Sequence, residues 1–319
     1  MSAQRIVSLL PSATEIVAAL GLADQLVGRS HQCDFPARVE TLPVLSATKV
    51  NLDGTSRDID GRVNEIIAQG VSVYRVDAEL LRALKPDVIL TQTQCAICAV
   101  TPADLEDALC DWMGREPALV SLAPDDLGDV WGDVLRVGVA LGVEPRAHAV
   151  VAELKSRLAA ISNRAAGAAR PTVAAIEWID PLMAGGNWMP ELIEIAGGTS
   201  LFATAGQHSP WLDWEALIAA DPEVILLLPC GFRIDQSLAD LPLLAVQPGW
   251  AELTAVRRGR VFVIDGHHYF NRPGPRLVES AEMIAEILHP PTGSTSTTRG
   301  SAGSAARSRP RRAPARRRG

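Results

Sequence analysis

One segment of this chain is written twice. DAELLRALKPDVIL runs from Asp77 to Leu90 and DWEALIAADPEVIL from Asp213 to Leu226, with eight of fourteen positions identical at an offset of 136 residues. Each copy reads as a helix followed by a buried strand. Asp77 and Asp213 are suited to cap a helix N-terminus, where a short carboxylate accepts from free backbone N–H groups. The residues after them place apolar side chains at helical spacing. Pro86 and Pro222 mark the turn, because a proline keeps the residue before it out of the helical region. The closing DVIL and EVILLLP are short, nearly all-apolar runs of the kind a parallel sheet buries on both faces. A duplicated α/β unit implies two similar lobes.

The remaining sequence fits that plan. RIVSLL, VSVYRV, PALVSL, TVAAIEW and RVFVID read as strands. Ser12 and Glu15 have the S-x-x-E spacing of a capping box. Helices are expected near residues 102–114 and 126–141, in NWMPELIEIAGG, and in PGPRLVESAEMIAEIL with proline near its start. Alternation of this kind gives α/β lobes with mainly parallel sheets and right-handed crossovers. Between the halves, EPRAHAVVAELKSRLAAISNRAAGA is long enough for a single helix of about 35 Å. The expected organisation is an N-terminal α/β lobe (1–142), one long linking α-helix (143–170), a C-terminal α/β lobe (171–290) and a disordered Arg-rich tail (291–319), with a ligand cleft between the lobes. An insertion at 46–72 is expected on the surface.

Charge divides the chain unevenly. The net charge is −7, but the tail carries 8 of the 30 basic residues, leaving 22 against 37 acidic ones and −15 on the body. An acidic body argues against nucleic-acid binding by the folded part, and the tail, with no aromatic residues among its arginines, reads as a solvated segment. No apolar run reaches the ~18 residues of a membrane span. The first strand starts at Arg5, so the chain as written is expected in the cytosol, or outside the membrane if its start lies further upstream. Five cysteines do not suggest a disulfide framework.

In open parallel sheets ligands lie beyond the carboxyl ends of the strands. The residues that follow the strands here include Gln92, Trp178, Trp188, His268, Tyr269, Phe270 and Arg272, and beside them stand His31, Gln32 and Trp211. Aromatic rings in Gly- and Pro-rich loops suggest a broad apolar cleft for a large flat ligand. Adjacent His267 and His268, if extended, would point to opposite sides and place one imidazole at most on the ligand. Cys95 and Cys98 form a single C-x-x-C, a weak metal signal that Cys33, Cys230 or a histidine could complete. No nucleophile elbow, Walker loop or H-E-x-x-H is present.

RIVSLLPSATEIVAALGLADQLVG, LLRALKPDVIL, PWLDWEALIAADPEVIL and RVFVIDGHHYFNRPGPRLVESAEMIAEIL together resemble the iron-complex and vitamin B12 substrate-binding proteins of ABC importers, and among them the cobalamin binders. The resemblance covers roughly Arg5 to Leu288. It implies two Rossmann-like lobes joined by one long helix, and aromatic side chains of both lobes against a corrinoid. Trp211, Tyr269, Phe270 and Trp178 stand at matching positions, while Gln32 and Gln92 stand where such relatives carry first-lobe aromatics. It also implies docking to a two-subunit permease through one glutamate per lobe, here Glu79 and Glu215. The implied protein is a monomer that needs no cofactor and takes cobalamin or another corrinoid, with haem or a ferric siderophore next. The alternative is a cytosolic enzyme handling a metal or tetrapyrrole through Cys95 and Cys98.

Overall fold

The computed structural model describes residues 4–69, 72–93, 100–105 and 116–290. Cys95, Cys98, most of the helix expected at 102–114 and the whole tail lie outside those residues.

The first lobe contains β1 (Ile6–Ser8), α1 (Pro11–Ala19), β2 (Leu26–Arg29), β3 (Ser46–Thr48), α2 (Ser56–Ala68), β4 (Tyr74–Val76), α3 (Ala78–Leu84), β5 (Val88–Gln92), β6 (Ala118–Leu122) and α4 (Leu127–Ala140). Its sheet is parallel, in the order β2-β1-β5-β6. Helix α5 (Glu144–Ala165) follows. The second lobe has β7 (Thr172–Trp178), β8 (Met183–Ala184), α6 (Met189–Ile195), β9 (Thr199–Ser200), α7 (Trp214–Ala220), β10 (Val224–Leu227), α8 (Ile234–Ala245), α9 (Thr254–Arg257), β11 (Val261–Val263) and α10 (Leu277–Leu288). Parallel strands β9, β7, β10 and β11 repeat the first lobe's order, and β8 adds antiparallel to β7.

The repeated segment folds the same way twice. Helices α3 and α7 both span seven residues, and Leu81 and Leu217 at equivalent positions are both fully buried. Both helices end on a residue in the left-handed region, Lys85 (φ 43°) and Asp221 (φ 39°), before the proline that turns the chain into β5 or β10. The caps differ. Asp77 accepts from Leu80 N–H, whereas Asp213 makes no side-chain capping bond.

Ser12 and Glu15 do not form the expected capping box. Pro11 opens α1 with no side-chain cap, which suits a residue that lacks an N–H. Both side chains are instead buried.

Helix α5 has 22 residues, about 33 Å at the standard rise. Ala147, Val151, Leu154, Leu158 and Ile161 form its buried stripe. It lies so close to α4 that a Cβ on Gly138 would stand 2.3 Å from the Ala147 methyl. Arg157 ties it to α10 through Glu279 (3.1 Å) and Glu282 (2.9 Å). One apolar core runs from Ile6 and Leu90 through this stripe to Val173, Leu226 and Ile284, and each lobe has a second core on its other face.

Residues 46–69 of the insertion form secondary structure and lie largely at the surface. Strand β3 pairs antiparallel with β4. Helix α2 is capped by Thr55 and Asp58 acting reciprocally. Its first residues then reach the second lobe: Ser56 N–H donates to Asp240 (2.7 Å), and Arg57 forks onto Asp180 (2.7 and 2.8 Å).

Candidate functional site

Strand ends from both lobes open onto one cleft. Leu10, Pro11 and Ser12 follow β1, Gln32 follows β2 and Gln92 ends β5; across from them stand Glu177, Trp188, Cys230, His267 and Arg272. The space between them holds about 130 Å³, less than the ~300–1,000 Å³ of ordinary small-molecule sites. Its wall is more polar than expected. Glu177 accepts from Ser209 Oγ (2.9 Å), which in turn accepts from Gly186 N–H (3.0 Å).

Four of the residues expected from sequence share this cavity: Gln32, Gln92, Trp188 and Arg272. Trp188 is 7 % exposed and donates its indole N–H to the Phe270 carbonyl (2.8 Å). Tyr269 and His268 line an adjoining cavity with Asp34, Phe35 and Arg276. Trp178 packs edge-on against Phe232 (5.2 Å between centroids), and its indole N–H has no partner among the described residues. Trp211 bridges to Met183 and is 65 % exposed.

Three expectations are corrected here. Phe270 is completely buried in the shared core, so its ring is not presented to the cleft. His31 faces β3, with Nδ1 2.9 Å from Ser46 Oγ and its ring beside Tyr74. Burial, aided by Arg29, lowers its pKa and favours the neutral ring. His267 and His268 do not diverge. They sit on a single π-helical turn, Gly266–Phe270, which brings their rings to 4.6 Å. Glu79 and Glu215 are exposed in the first turns of α3 and α7. Cys33 is buried and bonded to Thr14 and Ser30, and burial pushes its thiol pKa up.

A charged cluster joins the lobes beside the cleft. Arg272, only 5 % exposed, reaches from the second lobe to Asp34 (2.6 Å), Glu15 (3.2 Å) and the Gln32 carbonyl (3.4 Å). Arg276 also approaches Glu15 (3.4 Å), and its guanidinium lies between the Phe35 and Tyr269 rings at 4.2 and 4.1 Å. Burial drives the Glu15 carboxyl up to about 7 against the pull of both arginines. Asp34 moves the other way: burial opposes its charge, but His267 and Arg272 hold it well below the usual carboxylate range. Both His267 and His268 present Nε2 to Asp34, at 3.1 and 3.3 Å.

Sequence reasoning missed Asp34, Asp265 and Glu177, and misread Glu15 as a cap. Asp34 had a signal, since it stands in the HQCDFP loop that supplied His31 and Gln32. For Glu15 no local signal exists, because its partners are more than 250 residues away.

The sequence profile described as periplasmic binding protein matches residues 6–267. An uncharacterized ABC transporter substrate-binding lipoprotein, YvrC of Bacillus subtilis, is 25% identical over 299 residues, covering 91% of this chain and 81% of its own. The vitamin B12-binding protein of Vibrio cholerae is 25% identical over 288 residues, covering 90% and 89%. The structure superposes on a periplasmic heme-binding protein from Pseudomonas aeruginosa with a TM-score of 0.67 at 24% identity, over 90% of this chain and 93% of that one. These findings leave the cytosolic location and the metal-handling enzyme without support.

Proposed function

The chain belongs to the periplasmic binding protein family, and on that premise we propose that it is the extracytoplasmic binding component of an ABC importer for a cobalamin-like corrinoid. Trp211 carries the reading. It is a large ring left 65 % exposed, three residues beyond His208 of the cleft wall, where a flat ligand would cover it and gain apolar contact. The name of the V. cholerae relative supports a corrinoid, and the P. aeruginosa neighbour makes haem the competitor. Tyr269 and Trp178 would supply further apolar contact, and Gln32 and Gln92 would offer amide donors and acceptors to polar groups at the ligand's edge.

Glu79 and Glu215 would meet the permease. Both are exposed, both are the second residue of a seven-residue helix, and they occupy equivalent places in the two lobes. Duplicated carboxylates of this kind suit a partner with matching symmetry.

The test is a titration with cyanocobalamin, followed by tryptophan quenching and the ligand's visible spectrum, with haemin run in parallel. Saturable binding that Trp211→Ala weakens by roughly tenfold, about 1.4 kcal/mol, is expected. Absence of cyanocobalamin binding at about tens of micromolar, with haemin bound, would replace the corrinoid with haem.

A further inference from the structure

We propose that Asp34, His267 and His268 form a site for one divalent transition-metal ion that ties the two lobes together. One ligand atom from each lies within 4.8 Å of the others. Asp34 follows β2 of the first lobe, and the two histidines sit on the turn after β11 of the second. The site does not depend on which molecule occupies the cleft.

The convergence of the two rings carries the inference. His267 Nδ1 lies 3.2 Å from the Gly231 carbonyl, and His268 Nδ1 lies 2.6 Å from Asp265 Oδ2. A carbonyl and an ionised carboxylate can only accept, so each Nδ1 donates its proton there. Both Nε2 atoms face the same oxygen, Asp34 Oδ2. Protons on Nε2 would pair with that carboxylate, and a metal ion that displaces them would find two nitrogens and an oxygen already gathered. A histidine whose second nitrogen donates to a carbonyl or carboxylate is the usual state of a metal ligand.

Distances agree. Ligand atoms about 2.1 Å from a tetrahedral ion stand about 3.4 Å apart. The two Asp34–histidine edges measure 3.1 and 3.3 Å. Two imidazoles and one carboxylate suit zinc and its neighbours, with a fourth position left for water or ligand.

The surroundings hold this geometry. Asp265 accepts from the backbone N–H groups of His267 (3.0 Å) and His268 (2.9 Å), which fixes the π-turn that sets the rings side by side. Arg272 donates to both oxygens of Asp34, to Oδ1 at 2.6 Å and to Oδ2 at 3.1 Å, and so orients the carboxylate. Asp34 and Asp265 offset the charges of Arg272 and Arg276, so a dication does not enter a purely positive field.

The experiment uses the full chain, stripped with chelator and freed of any affinity tag. Zn²⁺ is titrated by calorimetry, and Co²⁺ by its visible d–d absorption. One ion per chain is expected, retained in Cys95→Ser/Cys98→Ser and lost in His267→Ala/His268→Ala. Asp265→Asn, which keeps a side-chain oxygen to cap the turn, should bind about 10- to 100-fold more weakly. Circular dichroism identifies any variant that fails to fold, and the Asp265→Asn result stands independently of the double variant. No saturable binding to the parent chain, or binding that survives loss of both histidines, would overturn the site.

Discussion

Where Arg272 crosses between the lobes it enters a nearly dry cluster, 5 % exposed and facing a Glu15 side chain that is 1 % exposed. Where Arg57 crosses, its side chain is 75 % exposed and its partner Asp180 is 22 % exposed. Both are bidentate or multiply bonded arginine contacts of good length, and a list of ion pairs would count them alike. Water separates them. An exposed pair exchanges solvation for a weak, screened attraction, whereas a buried guanidinium left alone or a buried carboxylate stripped of its partner has no water to fall back on. The same strap that carries Arg57 also carries a dry contact, Ser56 N–H to Asp240, with both residues buried. Neighbouring residues of one insertion therefore contribute very differently to holding the lobes together.

The comparison breaks most sharply at Arg272. Arg272→Ala should cost about 3–5 kcal/mol in denaturant unfolding, since it strands Asp34 and Glu15 in a buried cluster. A loss no larger than that of a surface substitution would mean that water enters the cluster.

Glu15 comes next and gives a pH signature. Its folded pKa is about 7 against an ordinary 4.5, so between those values the native state holds more protons than the unfolded one. Stability from this group is fully present below about 4.5 and is lost as pH rises through about 7, a change of about 3 kcal/mol. Comparing Glu15→Gln with the parent chain from acid to neutral pH should show a flatter stability curve for the variant. Parallel curves would show that the two arginines keep Glu15 ionised throughout.

Asp240→Ala should cost about 2 kcal/mol, because Ser56 N–H loses its acceptor in a buried position. Hydrogen exchange at Ser56 would report the loss directly. Arg57→Ala, a few ångströms along the same strap, should leave the melting temperature unchanged, and a clear drop there would erase the distinction between the two contacts.

Much of the architecture was readable in the chain because it rests on short-range rules. The duplicated segment encodes its helix, stop and buried strand within fourteen residues, and Leu81 and Leu217 are buried alike because both copies obey the same helical spacing. The long helix was equally legible, since no proline stands between Arg146 and Arg170. Misreadings fell where a local signal had a second use. Ser12 and Glu15 have capping-box spacing, but Pro11 already opens the helix, and the carboxylate meets arginines of the other lobe. Phe270 follows a loop of ligand-like character, yet the π-turn that aligns His267 and His268 rotates its ring into the core.

By itself, then, the sequence determined two parallel α/β lobes, the helix between them and the strand ends where a ligand would lie, because helix periodicity, proline stops and apolar strand runs act between near neighbours along the chain. Only the tertiary structure decided which charges meet across the cleft. Asp34 and His267 are 233 residues apart, and Glu15 and Arg272 are 257. No local pattern links residues at such separations; they become neighbours only when a shared core fixes one lobe against the other and excludes water from the seam.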